Sequence, residues 1–128
     1  MAAFVLVVGC VGLSCDDNST CVSSVDLTCA PLYEPEFEQV FTRTLKPGCA
    51  VAGNCHSGPN AKAGIRMDEI EETYRLLIDD GLVVPNDASC SLLVARLEGS
   101  GPVMPPGQAL SEAERCAIEQ WVANGALR

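Results

Sequence analysis

Residues 49–56 read Cys-Ala-Val-Ala-Gly-Asn-Cys-His, and the only histidine of the chain, His56, directly follows the second cysteine. Two nearby cysteines, the second directly followed by a histidine, are typical of c-type haem attachment. In that attachment the two thiols form thioethers and the imidazole binds the iron. The usual motif has two residues between the cysteines, whereas five separate Cys49 from Cys55 here. A short Cys49–Cys55 disulfide beside an ordinary surface histidine is the alternative, and the stretch alone leaves both open.

Length and composition limit how large a core the chain can build. Its 128 residues allow one small domain beside a leader and a tail. Aromatic residues make up only 5% of the chain, so a core of side chains alone would be thin. A large flat apolar cofactor would supply the missing buried surface, and disulfides are the other means. Eight cysteines in so short a chain indicate an oxidising compartment.

The charge of the chain narrows the choice of partners. Asp and Glu number 17 against 8 Lys and Arg, a net charge of -9. Such a chain is not expected to bind nucleic acid or an anionic membrane surface. The same charge favours a protein partner with a basic docking face.

The N-terminal part of the chain divides into two regions by composition. Residues 1–14 are mostly apolar or small and predict an export signal of the lipoprotein kind. Val7-Val8-Gly9-Cys10 resembles a lipoprotein cleavage box, so Cys10 is the predicted lipidation site. Cys15 is the alternative, because processing there leaves six cysteines that can all pair. Residues 15–33 predict a flexible linker.

Residues 34–128 predict an all-α domain of about four helices with long loops. Apolar residues recur at helical spacing in four runs, and no long stretch alternates as a strand would. Pro47-Gly48 is expected to end the first helix just before Cys49. The other three helices each have an expected N-terminal cap: Asp68 with Glu71 for the second, Asp87 or Ser89 for the third, and Ser111 with Glu114 for the fourth. The predicted inward residues are Phe37, Val40, Phe41, Leu45, Ile70, Tyr74, Leu77, Ile78, Leu92, Leu93, Leu97, Ile118, Trp121 and Val122.

A proline-rich segment, Pro102-Val103-Met104-Pro105-Pro106-Gly107, precedes the last helix. Prolines fix φ and remove donors, so this segment is expected to be stiff, extended and not helical. Such a segment can hold one side chain at a set depth, and Met104 carries a thioether, a soft ligand suited to iron. The alternative is a connector whose methionine fills a gap in the core.

The order of these motifs is similar to that of small cytochrome c-like domains. The resemblance covers about residues 34–128 and is closest to the planctomycete-type cytochrome c domain, which also occurs in predicted lipoproteins of myxobacteria. It implies a class I cytochrome c-like bundle with haem c. It also implies attachment at Cys49 and Cys55, with His56 and Met104 as axial ligands. The matching stretches are Cys49 to His56, the helix around Tyr74, Val83-Val84-Pro85, Ser91 to Leu97, Met104 to Gly107 and Leu110 to Ala126.

The remaining cysteines predict two disulfides. Cys90 lies at the start of the third helix and Cys116 in the second turn of the fourth, with the Met104 segment between them. A bond between them would shorten that free segment and dock the two helices. Cys21 and Cys29 could close a small loop in the linker.

These expectations favour a one-haem electron carrier over an enzyme. Its place would be the periplasm or cell envelope, on a membrane through the lipid anchor, with a redox partner protein. The alternative is a haem-free surface module stapled by disulfides, including Cys49–Cys55, for interaction or assembly. A metal site made only of Cys49, Cys55 and His56 is disfavoured, because it lacks an obvious fourth ligand.

Overall fold

The computed structural model describes residues 21–51, 55–99 and 103–128. Within these ranges the elements are α1 (Phe37–Val40), a π-helical continuation (Phe41–Cys49), a 3₁₀ turn (Lys62–Gly64), α2 (Ile70–Asp79), α3 (Leu92–Leu97) and α4 (Glu112–Ala123). No strand occurs in the described ranges, and the predicted all-α fold of about four helices is confirmed. Both candidate lipidation sites, Cys10 and Cys15, lie outside the described residues. None of the described helices is long and apolar enough to cross a membrane.

The first helix runs further than the sequence predicts. Helical backbone continues through Pro47 to Cys49 instead of ending before the proline. In an α-helix, a proline ring clashes with the carbonyl four residues earlier and lacks the N–H that would bind it. Here the turns widen to the π-helical form, and the Ala50 N–H donates to the Leu45 carbonyl, five residues back, at 3.2 Å. The wider turn accommodates Pro47 and places Cys49 at the helix end.

The second helix lacks the capping box predicted at Asp68. The Asp68 carboxylate is engaged by the preceding loop, through Arg66 at 3.2 Å and the Gly58 N–H at 3.3 Å. The residue at the N-cap is Glu69, without a side-chain hydrogen bond to the helix. Gly81 follows the helix with a φ of 72°, a conformation that glycine adopts without strain, and the predicted end is therefore confirmed.

The third helix is short and is not capped by either predicted residue. Asp87 closes the turn before it, because its carboxylate accepts from the Cys90 N–H at 3.1 Å and the Ser89 hydroxyl at 3.0 Å. Ser91 is the N-cap residue, yet its buried hydroxyl donates to the Asp87 carbonyl at 2.7 Å. The start of α3 is thus fixed by the turn that the Asp87 side chain closes before the N-cap residue, and not by a side-chain cap on the helix itself.

The last helix forms as its sequence predicts. The Glu114 N–H donates to the Ser111 hydroxyl at 3.2 Å, and the Ser111 N–H donates to the Glu114 carboxylate at 3.0 Å, so the capping box is confirmed. Its apolar face is buried, with Ile118, Trp121 and Val122 each at most 2% exposed.

Aromatic contacts join α1, α2 and α4 into the core. The Phe37 ring lies 5.2 Å from Trp121 and 5.0 Å from Tyr74, centroid to centroid. The Trp121 indole N–H donates to the Leu127 carbonyl and the Tyr74 hydroxyl to the Ala126 carbonyl, at 2.9 and 3.0 Å. Both aromatic polar groups are therefore satisfied, as burial requires. These contacts also hold the end of the chain against the bundle.

The disulfides join different cysteines from those predicted. Cys21 pairs with Cys90 and Cys29 pairs with Cys116. The predicted Cys21–Cys29 and Cys90–Cys116 pairings are therefore wrong. The Val22 N–H donates to the carbonyl beside Cys90, that of Ser89, at 2.8 Å, which brings the first pair together.

Gln120 explains the second pair, because it lies one turn after Cys116 on α4. Its side-chain amide donates to the carbonyls of Leu27 and Cys29, at 3.1 and 3.0 Å. Tyr33, at the end of the same segment, is buried and its hydroxyl hydrogen bonds with Thr44 at 2.5 Å. Residues 21–33 are thus held against the helices, although the sequence predicts a flexible linker there.

Candidate functional site

Backbone hydrogen bonds hold the two cysteines and the histidine in a closed loop. The His56 N–H donates to the Cys49 carbonyl at 2.9 Å, and the Lys62 N–H donates to the Cys55 carbonyl at 3.0 Å. The Met67 N–H then donates to the His56 carbonyl at 2.7 Å. Cys49 and His56 therefore lie side by side, despite the long spacing between the two cysteines.

The His56 ring has the tautomer that an iron ligand needs. Its Nδ1 lies 3.0 Å from the Ile65 carbonyl oxygen. A carbonyl can only accept, so Nδ1 carries the hydrogen and Nε2 of the neutral ring has a free lone pair. Metal-binding histidines usually donate their other ring N–H in this way, which fixes the orientation of the ring.

Cys49 and Cys55 are free thiols, both partly buried. The Cys49–Cys55 disulfide, which the sequence leaves open, is therefore not formed. Burial, followed by the neighbouring Cys55, raises the pKa of the Cys49 thiol to about 11. Cys49 is thus protonated at neutral pH, and both sulfur atoms remain available for thioether bonds.

Two adjoining cavities, of about 240 and 320 Å³, open beside these side chains. Cys49, His56, Lys62 and Met104 line both. The smaller, here called the leucine-lined cavity, has aliphatic walls from Ile65, Leu77, Leu82, Leu92, Leu93 and Leu97. The larger, the proline-lined cavity, is bounded by Gly48, Cys55, Pro105 and Pro106. Mostly apolar pockets of roughly 300–1,000 Å³ with few polar groups are typical of cofactor sites.

Two methionines reach the leucine-lined cavity. Met104 also lines the proline-lined cavity, whereas Met67 lines only the first and is 5% exposed in the core. The Met104 N–H donates to the Arg96 carbonyl at 3.0 Å, which attaches the segment to the end of α3. Residues 103–107 of that segment are not helical, as predicted, but they turn around Pro106 instead of running extended. The choice of Met104 as the distal ligand stays a prediction.

Sequence reasoning did not identify three contributors to this site. Lys62 and Arg96 are the two charged side chains that line the leucine-lined cavity. Residues 39–67 contain four of the eight Lys and Arg and none of the 17 Asp and Glu, which is the signal that could have indicated Lys62. The Ile65 carbonyl could not have been found, because a backbone atom leaves no mark on residue type.

Other parts of the described chain offer no comparable set of ligands. A cavity of about 460 Å³ lies between α1 and the chain end, and Glu36, Glu38 and Arg128 are among its lining residues. No His, Cys or Met lines it, so it provides no soft ligand. Among the described residues, no group of three or more His, Cys, Asp and Glu side chains converges to hold a metal ion. A metal bound by Cys49, Cys55 and His56 alone is therefore unsupported.

The chain was also compared with known proteins. Residues 53–108 match the family model described as Planctomycete cytochrome C. The matched range contains Cys55, His56 and Met104 and begins after Cys49. It confirms the resemblance to a cytochrome c-like domain of the planctomycete type. Neither a curated protein nor a solved structure matches the chain.

Proposed function

We propose that this chain, which carries a cytochrome c-like domain of the planctomycete type, transfers electrons through one covalently attached c-type haem. The observation that carries the proposal is the His56 ring, whose Nδ1 is held by the Ile65 carbonyl, so that Nε2 is the ring nitrogen left to bind an iron. This ring lines an apolar cavity together with a thiol and a thioether.

Each site residue has one role in this proposal. Cys49 and Cys55 would attach the cofactor as thioethers, and His56 and Met104 would supply the ligands of its iron. The haem, when bound, supplies an iron that cycles between two oxidation states. A methionine opposite a histidine raises the reduction potential of such an iron. Because the chain holds both ligands on anchored segments, little would need to reorganise during electron transfer.

The lining of the cavities suits the rest of the cofactor. The aliphatic walls of the leucine-lined cavity would keep water from a bound cofactor, which favours the less charged state of a buried redox group. Lys62 and Arg96, the charged side chains of the lining, would supply the positive charge that offsets the carboxylates of a haem. Buried carboxylates require such partners.

The test is a haem stain on a denaturing gel, after expression of the full chain with a c-type maturation system. The wild type should keep the stain and the mass of one haem, and Cys55→Ala should lose or greatly weaken both. Cys90→Ala, which removes a disulfide cysteine outside the site, should keep them. A wild-type mass that shows no haem would contradict the proposal.

We further propose a location and a kind of partner. Lipidation at Cys10, or at Cys15, would attach the protein to a membrane on the periplasmic side. Net charge alone favours a partner with a basic docking face. Lys62, an exposed cation that lines both cavities, favours an acidic or neutral partner face at the cavity mouth.

The second candidate function is a haem-free module for interaction or assembly. The observation in its favour is the pair of disulfides, which tie residues 21–33 to α3 and α4 without any cofactor. A mature protein that stays folded and carries no haem after the maturation test would support this function.

A further inference from the structure

Glu119 is a buried acid outside the candidate haem site. It lies on α4 and is 4% exposed, and its Oε1 has no hydrogen-bond partner within the described residues. Its side chain lines the same small cavity as that of Glu98, the residue that follows α3, and burial, followed by a hydrogen bond with Glu98, raises the pKa of Glu119. Two carboxyls in such contact hold one proton between them, because two adjacent carboxylates repel.

The surroundings of this pair favour a proton over a metal ion. A cavity of about 110 Å³ beside it is also lined by Asp26 and Glu112. No three acidic side chains of the described chain converge to hold a metal ion. Arg115 already supplies a cation to the cluster, since its Nε binds the Glu98 carboxylate at 3.0 Å. Within the Glu98–Glu119 pair, Arg115 balances one carboxylate, and a proton neutralises the other.

Arg115 also connects the two ends of the Met104 segment. Its Nε binds Glu98 at the start of the segment, and its Nη1 donates to the Leu110 carbonyl at the other end, at 3.0 Å. The Met104 N–H is fixed two residues before Glu98, on the Arg96 carbonyl. This guanidinium therefore does what the sequence predicted of a Cys90–Cys116 disulfide, which is to restrain the ends of the segment.

We propose that Arg115, Glu98 and Glu119 form a proton-dependent clamp that positions the Met104 segment beside the candidate haem cavity. The inference rests on the proposed function, because the positioned sulfur is the candidate iron ligand. With the proton bound, Glu98 is oriented by Glu119 and binds Arg115. Loss of the proton places a second negative charge against Glu98 and divides Arg115 between two carboxylates. The hold on the segment then weakens, and the Met104 sulfur leaves the iron more readily.

The direction of the pH dependence follows from the two acids. Burial raises the pKa of Glu119 to about 8, and the hydrogen bond and charge of Glu98 act in the same direction. Arg115 opposes this shift and Asp26 adds to it. The hydrogen bond with Glu119 lowers the pKa of Glu98. A glutamate whose pKa is raised on folding stabilises the fold fully below its ordinary value of 4.5, and that contribution is lost as the pH rises through about 8.

The haem-loaded full chain tests the link to Met104. The near-infrared sulfur-to-iron band of the oxidised protein would be followed from about pH 6 to about pH 9.5. The wild type should lose the band with a midpoint near pH 8. Glu119→Gln keeps the size of the side chain but does not titrate, so its midpoint should lie at a higher pH, where the proton concentration is at least tenfold lower. Glu112→Gln, from the same cavity, should follow the wild type. Coincident curves for the wild type and Glu119→Gln would overturn the clamp.

A second measurement separates the clamp from the proposed function. The free energy of unfolding of the same three proteins without haem would be measured against pH. The wild type and Glu112→Gln should lose stability between about pH 5 and pH 8, and Glu119→Gln should not. If no haem attaches, the proposed function fails, but these stability curves still test the clamp. Equal pH dependence of the unfolding free energy in the wild type and Glu119→Gln would overturn it. A pH-dependent stability with a pH-independent band would refute the link to Met104.

Discussion

Cys21–Cys90 and Cys29–Cys116 interlock along the chain, since each bond encloses one end of the other. This arrangement predicts how much stability each bond contributes when the other is present. The perturbation is a change of one cysteine to alanine, which removes one bond and leaves its partner as a free thiol. The measured quantity is the free energy of unfolding.

The magnitude follows from the shortest path between the bonded residues in the unfolded chain. Cys29 and Cys116 are 87 residues apart, which alone would correspond to about 4.6 kcal/mol in the chain-entropy model. With Cys21–Cys90 intact, a shorter path runs from Cys29 back to Cys21, crosses the bond, and continues from Cys90 to Cys116. This path of roughly 34 residues corresponds to about 3.8 kcal/mol. The same path applies to Cys21–Cys90, so either bond should contribute about the same amount.

The assay is urea unfolding of the variants under non-reducing conditions. Cys21→Ala and Cys90→Ala should each lose about 3.8 kcal/mol. The double variant of these two should lose no more than either single change, because both remove the same bond. Cys21→Ala combined with Cys29→Ala removes both bonds and should lose clearly more. If that combination matched the single variants while Cys21→Ala with Cys90→Ala lost more, the two cysteines near the N-terminus would be bonded to each other and the reasoning would be refuted.

The haem-loaded protein is expected to respond to changes at its candidate ligands and at its leader. Met104→Ala should abolish the near-infrared sulfur-to-iron band and Met67→Ala should keep it; the reverse result would exchange their roles. Lys62→Gln should lower the reduction potential, because a nearby cation disfavours the oxidised iron. A threefold change in the equilibrium constant would correspond to about 28 mV, and an unchanged potential would place Lys62 away from the iron. Native protein should partition into detergent and lose this property in a Cys10→Ser, Cys15→Ser double variant, whereas a wholly soluble native protein would indicate ordinary secretion.

Local sequence signals predict the helices to different degrees. The last helix is predicted well because Ser111 and Glu114 act on each other within one turn, and all information for that contact is local. Pro47 is misleading because proline breaks only the α-helical hydrogen-bond pattern, and a wider turn avoids the clash. Asp68 fails as a cap because its carboxylate has competing partners in Arg66 and Gly58. The spacing of residues along the chain does not show whether such a carboxylate will bind the helix that follows it or the loop that precedes it.

The candidate site divides in the same way between residue type and tertiary contact. Cys55, His56 and Met104 stand out in the sequence because their side chains are chemically distinct and His56 is the only histidine of the chain. Their supports do not stand out, since the Ile65 and Arg96 carbonyls act through the backbone. The disulfides illustrate the same limit, because their pairing depends on where residues 21–33 lie on the helices.

Net charge describes this protein poorly at the place where a redox partner would approach. Residues 39–67 contain four cations and no acid, and residues 99–111 contain no charged side chain. These two segments supply all the residues of the proline-lined cavity. The acids lie before and on α1, on and around α2 and α3, and on α4, so the rest of the chain holds all 17 Asp and Glu against only four of the eight Lys and Arg. A basic partner would therefore be drawn to surfaces away from the cavity mouth, where the path to a bound haem is longer. Because electrostatic steering acts on the local field, electron transfer as proposed would require a partner face that tolerates Lys62 and the apolar prolines.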